Sequence, residues 1–335
     1  MSSDKVLLDY GSGGRASQRL ISELFIKHFA NPELERLNDA AAFNIDGKIS
    51  MSTDSFTVDP IFFPGGDIGS LAVHGTVNDV AMLGAIPKYL TCAYIIEEGF
   101  PMADLEKVVI SMSEAVKDAG VAIVTGDTKV VPKGAIDKIF INTTGVGQIV
   151  ADPMPSGDRA TVGDAVLISG TMGDHGLTVL GTRGGISLES NVMSDSAALN
   201  HLLVKLVQEI PDVHVFRDPT RGGLATTLNE ITTASNVCCE LEESSIPVKP
   251  EVVGGCSILG LDPLYLANEG KFLCILPQKY AEQALEIMRA DKHGKDACQI
   301  GNITDANPGK VILVTPLGGR RLLNMLEGEQ LPRIC

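Results

Sequence analysis

Between Ala151 and Asp158 the chain reads Ala-Asp-Pro-Met-Pro-Ser-Gly-Asp, and neither helical nor strand periodicity survives the run. Its two prolines lack an amide hydrogen and its glycine loosens the backbone, so the stretch is the best candidate for a domain boundary. It divides 335 residues near the middle, and that length already exceeds what one hydrophobic core usually organises. The expectation is two blocks, residues 1–152 and 153–327, followed by a short mobile tail over 328–335.

Each block alternates helix and strand patterns. In the first, Leu20, Ile21, Leu24, Phe25 and Phe29 recur at helical spacing, as do Leu105, Val108, Val109, Met112 and Val116 behind Pro101. Strand-like runs fall at 49–53, 89–96, 121–125 and 139–149. The second block offers strands at 165–169, 214–216, 237–241, 271–276 and 311–314, with helices at 197–208, 224–234 and 281–289. A short helix is expected within 317–330. The fold class is α/β throughout, as two mixed α/β domains.

A net charge of −15 without a compensating basic cluster sets up a field that repels phosphate backbones and anionic lipid, so nucleic acid is not expected as a partner. No apolar run reaches membrane-spanning length, and Met1-Ser2-Ser3-Asp4-Lys5 lacks the features of a secretory signal; a cytoplasmic protein with no membrane partner is expected. Seven cysteines contain no CxxC pair, and six histidines show no HxxxH or HxH spacing, which argues against zinc and against a disulfide framework. No GxSxG elbow points to a serine hydrolase. His74 and His175 are read as packing or capping residues, with a place facing a site as the alternative.

Four aspartates stand where the chain leaves a strand or enters a glycine-containing turn: Asp54, Asp79, Asp127 and Asp218. Open α/β folds place ligands at strand ends, and Mg²⁺ prefers a few carboxylates completed by water and phosphate oxygens. A turn or cap role would account for any one of them; four together favour a shared site. Glycine-rich turns at Gly11–Gly14, Pro64–Gly69 and Thr220–Gly223 each precede a helix pattern, where backbone N–H groups can approach a phosphate. None is a P-loop or a dinucleotide fingerprint. Lys129 and the strand-flanking Glu269 are candidates for charge stabilisation and proton transfer, with an ordinary ion pair as the alternative. Cys335 is the last residue, and Gly328 to Cys335 could extend roughly 25 Å.

These motifs, taken in order, resemble the HypE family: Asp54-Ser55, Asp59 through Gly69, Gly75-Thr76, Asn78-Asp79-Val80-Ala81, Gly126 through Val131, Asp218 through Gly223, Asn268 through Lys271 and the terminal Pro332-Arg333-Ile334-Cys335. The resemblance covers essentially the whole chain. HypE is similar to aminoimidazole ribonucleotide synthetase and selenophosphate synthetase. The latter generally carries a Cys or selenocysteine and a Lys near the N-terminus, where this chain has Ser12-Gly13-Gly14.

The resemblance implies a homodimer that binds ATP near its interface and uses Mg²⁺. It implies a carbamoyl dehydratase: a carbamoyltransferase, HypF, loads the Cys335 sulfur, ATP activates the carboxamide oxygen, and loss of phosphate leaves a thiocyanate. The cyanide then passes to an iron-carrier complex, HypC-HypD, for the [NiFe] site. By motif, Asp54, Asp79, Asp127 and Asp218 would handle metal and phosphate, with Asn78, Thr128 and Arg221 as neighbours. Cys335, Lys129 and Glu269 would carry the chemistry, and Pro332 and Arg333 would help present the thiol. Two other readings remain open: a carrier that only presents Cys335, and a related kinase or synthetase acting on a separate small molecule.

Overall fold

A computed structural model describes residues 4–11, 14–37, 40–183 and 191–327. In the N-terminal block, a helix runs through α1 (Arg15–Leu20), a π-helical turn and α2 (Lys27–Phe29). There follow β1 (Ile49–Phe56), the small pair β2 (Phe62–Phe63) and β3 (Gly66–Asp67), α3 (Ile68–Ala81), β4 (Ala85–Glu97), α4 (Met102–Ala119), β5 (Ala122–Val131) and β6 (Ile139–Ile149). The sheet order is β1-β6-β4-β5, parallel only between β4 and β5.

Helix α3 begins at a reciprocal cap. The Asp67 carboxylate accepts from the Gly69 and Ser70 amides, and Ser70 Oγ accepts from the Asp67 amide. It is buried almost all round, from Ile68 to Ala81, because the sheet packs on one side and other helices on the rest. Helix α4 instead buries one stripe, Leu105, Val108, Val109, Met112 and Val116, as its spacing predicts.

One face of this sheet is packed on α3 and α4; the other is mostly open among the described residues, with Phe43 packed on Tyr89 at a ring-centroid distance of 4.2 Å. Paired residues share a face, so Met51, Val146, Tyr89, Ala93, Ile95 and Phe140 look outward together. Met51 is 66% exposed and Ile95 41%.

The second block holds β7 (Asp164–Ile168), α5 (Asp174–Thr182), α6 (Asn200–Glu209), β8 (Val215–Arg217), α7 (Gly223–Ser235), β9 (Cys238–Glu242) and α8 (Pro250–Leu259). It continues through β10 (Leu273–Pro277), α9 (Ala281–Arg289), β11 (Cys298–Thr304), β12 (Lys310–Val314) and β13 (Arg320–Leu322). Seven strands run in the order β13-β12-β9-β11-β7-β10-β8. Alternate residues of β7 enter different cores. Val166 and Ile168 pack toward α7, while Ala165 and Leu167 pack toward α6 and α9. Burial on both faces explains the unbroken apolar run from Ala165 to Ile168.

The domains share core. Leu177 and Leu180 of α5 and Val252 of α8 join the N-terminal cluster, and Ala81 and Met82 at the end of α3 join the α6/α9 cluster. Two expectations are corrected. The described part of 317–330 carries the short strand β13, which pairs with β12, in place of a helix. Of the four aspartates, only Asp218 directly follows a strand: Asp54 lies inside β1, Asp127 inside β5, and Asp79 in the last turn of α3.

Candidate active site

Strand β1 and the last turn of α3 lie side by side, and there Ser52 Oγ donates to Asp79 Oδ2 at 2.7 Å. Two residues along the same strand, hence on the same face, Asp54 Oδ1 accepts from an Arg221 guanidinium nitrogen at 3.1 Å. That contact crosses from the first domain to the second. Asp54, Asp79, Asp218, Thr220, Arg221, Gly222 and Glu269 line one cavity of about 450 Å³ between the domains. Helix α7 starts at its wall, so the positive end of a thirteen-residue helix points into an acidic pocket.

The acidic loops are pinned by Asn268, which is wholly buried. Its side-chain amide donates to the carbonyls of Pro219 and Leu266 at 3.1 and 2.9 Å, and its oxygen accepts from the Gly173 amide at 2.7 Å. Asp218 and Glu269 are thereby fixed relative to each other. Gly223, at φ +60°, sits against the carbonyls of Leu264 and Leu266, where a side chain would collide.

Crowding four carboxylates into a half-dry cavity costs free energy when all are charged. Burial, then the Asp79 charge, pushes Asp218 up to about 7. Burial also raises Asp79, against the pull of Ser52 and of Arg217 and Arg221, and raises Asp54 against the pull of Arg221. Glu269 is only 5% exposed, and burial, followed by the charges of Asp218, Asp195, Asp54 and Asp79, holds it well above the carboxylate range. A carboxyl group pushed up in this way holds its proton more tightly and, once ionised, is a stronger base, which suits it to proton exchange.

The other predicted residues are placed elsewhere. In the row Asp54, Thr143, Cys92, Gly126 the sheet carries one facing from edge to edge, so Asp127 and Lys129 point to the opposite, mostly open face. With Thr128 they line a second cavity of about 680 Å³ at the β5 edge, beside Tyr10, Gly11 and Phe25. Asn78 is 2% exposed, and its amide is committed to backbone: it donates to Ala197 O at 2.9 Å and accepts from Leu199 N at 2.8 Å. Its role is to join α3 to the second domain. His175 is buried and His74 half-buried, they are bonded to Ser194 and Ser196 respectively, and desolvation lowers each to about 4, so both are neutral packing residues. Cys335, Pro332, Arg333 and Ser12-Gly13 lie outside the described residues. Among the described residues no three His, Cys, Asp or Glu side chains already converge as a metal cage, and no helix is long and apolar enough to cross a membrane.

Sequence reasoning missed three contributors. Ser52 carries the period-two signal of Asp54 and could have been found from it. Asp195, whose Oδ1 accepts from the Glu269 amide, stands in a stretch with no periodicity. Leu326 also lines the acidic cavity. Its amide donates to Thr226 Oγ1, Asn324 O accepts from the Tyr265 hydroxyl and Leu323 O accepts from Asn229, so the root of the tail is fastened at the cavity mouth.

The family model described as AIR synthase related protein, N-terminal domain, matches residues 37–149, and that of the C-terminal domain of the same proteins matches 161–314. The two in sequence define the class as a two-domain AIR synthase-related fold. Within it, the chain is 51% identical over 327 residues to the carbamoyl dehydratase HypE of Azotobacter vinelandii, covering 97% of this chain and 96% of that protein. A crystal structure of hydrogenase maturation protein HypE in complex with ATP superposes with a TM-score of 0.95 at 63% identity, covering 98% of this chain and 99% of the other. HypE in a HypE–HypF complex superposes with a TM-score of 0.81 at 49% identity, over 91% and 99% of the respective chains. This chain belongs to the HypE family of carbamoyl dehydratases.

Proposed function

We propose that the chain dehydrates a carbamoyl group carried on its own Cys335 to a thiocyanate, using ATP, and that the acidic cavity is where this occurs. The observation that carries the reading is the position of Leu326 in the wall of that cavity. Nine residues beyond it, Cys335 has a reach of about 30 Å, ample to fold back onto Asp218 and Glu269. An amide does not expel its oxygen as water or hydroxide at neutral pH. Transfer of the γ-phosphoryl group to the carboxamide oxygen, with release of ADP, makes that oxygen part of a phosphate leaving group. Removal of the protons on nitrogen and breakage of the C–O bond then give Cys335–S–C≡N and inorganic phosphate.

The residues divide these tasks. Arg221 and the N-terminus of α7 bind and orient phosphate oxygens, and Glu269, whose burial makes its ionised form a stronger base than an ordinary carboxylate, takes a proton from the carboxamide nitrogen. Asp54, Asp79 and Asp218 would hold Mg²⁺: their mutual repulsion in a half-buried pocket is what a divalent cation relieves, and a few carboxylates completed by water and phosphate oxygens is the donor set that ion prefers. Bound there, the ion supplies charge neutralisation for the transferring phosphoryl group.

Asp127, Thr128 and Lys129 enter through a homodimer. The open part of this sheet face, with Met51 and Ile95 exposed, would pack on a second copy of itself about a two-fold axis. An axis along the strands sets β5 of one copy against β1 of the other, which would bring Asp127 and Lys129 of a second copy toward Asp54 and Asp79. Loading of the thiol by a carbamoyltransferase is supported by the relative solved with HypF. Delivery to a HypC–HypD iron carrier, in the cytoplasm, completes the reading.

Intact-protein mass measurement after incubation with the carbamoyltransferase, carbamoyl phosphate and Mg-ATP tests it. The expected result is gain of one carbamoyl group on Cys335 and then loss of one water that requires ATP. ATP-independent loading without water loss would leave only a carrier, and full activity after removal of the last five residues would point to a separate substrate.

A further inference from the structure

Residues 191–199 form neither helix nor strand, yet most are buried or half-buried between the two domains. On the N-terminal side, Ser194 N donates to Pro64 O at 2.8 Å, Ser196 Oγ lies 2.9 Å from His74 Nδ1, and Asn78 bonds Ala197 and Leu199. On the C-terminal side, Ser194 Oγ lies 2.8 Å from His175 Nδ1. The segment is a strap fastened at both ends.

At its middle stands Asp195, with its side chain 2% exposed. Oδ1 accepts from the backbone amide of Glu269 at 3.1 Å, and Oδ2 lies 3.4 Å from Lys271 Nζ. Gly270, between those two partners, packs its α-carbon directly on the Asp195 carbonyl, where any β-carbon would collide. A buried carboxylate is costly to maintain, and a neutral side chain could satisfy one amide at less cost. Here the charge binds residues 269 and 271 on either side of the point of contact. That fixes the backbone from which the Glu269 side chain projects into the cavity.

We propose that Asp195 is a positioning residue for the dehydration step: by clamping the Glu269 amide and the Lys271 ammonium it holds the Glu269 carboxyl at the thiocarboxamide nitrogen. The inference rests on the dehydratase reading above. A general base must stand at hydrogen-bonding distance from the proton it removes, and a small displacement is felt in the chemical step before it is felt in nucleotide binding. The clamp is built on the C-terminal loop, while Arg221, the phosphate-binding candidate, stands on a different one.

Single-turnover loss of water from pre-carbamoylated protein, followed by mass, tests this alongside ATP affinity by calorimetry. Asp195→Ala is expected to slow water loss on the order of tenfold to a hundredfold and to leave ATP affinity unchanged. Asp195→Asn, which keeps an oxygen for the Glu269 amide but gives up the ion pair with Lys271, recovers part of that rate. Gly270→Ala, which pries the loop from the strap without touching any ionisable group, slows water loss with ATP affinity retained and serves if Asp195→Ala does not fold. Full rate in Asp195→Ala or Gly270→Ala, an equal loss of ATP affinity, or an Asn variant as slow as Ala would overturn the positioning role. Wild-type protein that takes up the carbamoyl group but loses no water with ATP would overturn the dehydratase reading and the positioning role together.

Discussion

Replacing Asp218 by Asn removes one negative charge from the acidic cavity with little change of shape, and its effect on stability can be worked out from the structure. Burial and the neighbouring Asp79 lift the Asp218 carboxyl from 3.8 to about 7. At about 1.4 kcal/mol for each tenfold change in acidity, the ionised form at pH 8 is held at a ceiling cost of about 4 kcal/mol when no divalent cation is present. The folded state binds this proton more tightly than the unfolded chain. The penalty is therefore absent below 3.8, grows as pH rises toward about 7, and is level above it. Asn carries no such penalty. Because Asp54, Asp79 and Glu269 share the field and readjust, about 2 kcal/mol of relief is expected, or roughly 4 to 8 °C in melting temperature. Differential scanning fluorimetry in EDTA across pH 4.5 to 8.5 reads it directly. The variant should melt above wild type near pH 8 and alongside it at the acid end, and Mg²⁺ should raise wild type more than the variant. A variant that melts lower at pH 8, or an advantage that does not change with pH, would refute the electrostatic account of the cavity.

Three further outcomes are expected. Asn78→Ala leaves the Ala197 carbonyl and Leu199 amide without their partner, and should cost about 2 to 4 kcal/mol in chemical denaturation while nucleotide contacts remain intact. Met51→Lys places a charge on the β1 edge of the sheet face proposed above as the dimer contact and should shift the protein toward monomer in analytical ultracentrifugation without lowering its melting temperature as a monomer. Cys335→Ala should bind ATP with wild-type affinity and show no carbamoyl adduct by mass.

How much of this was legible follows from which residues carry a periodic signal. Strand β6 and helix α9 were read with their bounds because alternation and a one-sided stripe mark them. Helices α5 and α8 were not read: α5 is almost wholly buried, and α8 carries Gly254 and Gly255 in its middle, so neither shows a stripe. Helix α3 was seen only as a helix-like stretch for the same reason. Strand β11 is broken by a bulge between Gln299 and Gly301, which interrupts its alternation. In the site, residue type and turn context made Asp54, Asp79, Asp218 and Glu269 candidates beside other readings, and the family resemblance selected them and added Arg221; all five line one cavity. The facing of Asp127 and Lys129 was not legible, because it depends on register across three strand pairs. Asn78 shows the limit of motif reasoning from the other side, since an amide beside a candidate ligand in sequence is turned to the opposite task of joining domains.

That division has a mechanistic consequence. The cavity is assembled from both domains: Asp54 and Asp79 come from the first, Asp218, Arg221 and Glu269 from the second, and the Asp54–Arg221 pair bridges them. Arg221 is 76% exposed at its side chain, so this bridge alone is worth little, about 1 kcal/mol or less. Rigidity must come from the buried contacts behind the site, namely Asn78, Asn268 and the strap around Asp195, which are desolvated and tied to backbone. On the reading proposed above, an exposed arginine in front of rigid acids would release its aspartate and turn to a phosphate while the buried contacts hold the domain interface. The acids cannot move apart in the same way, so what the Arg217 and Arg221 charges leave uncompensated is relieved by protonation or, on the reading proposed above, by a bound cation.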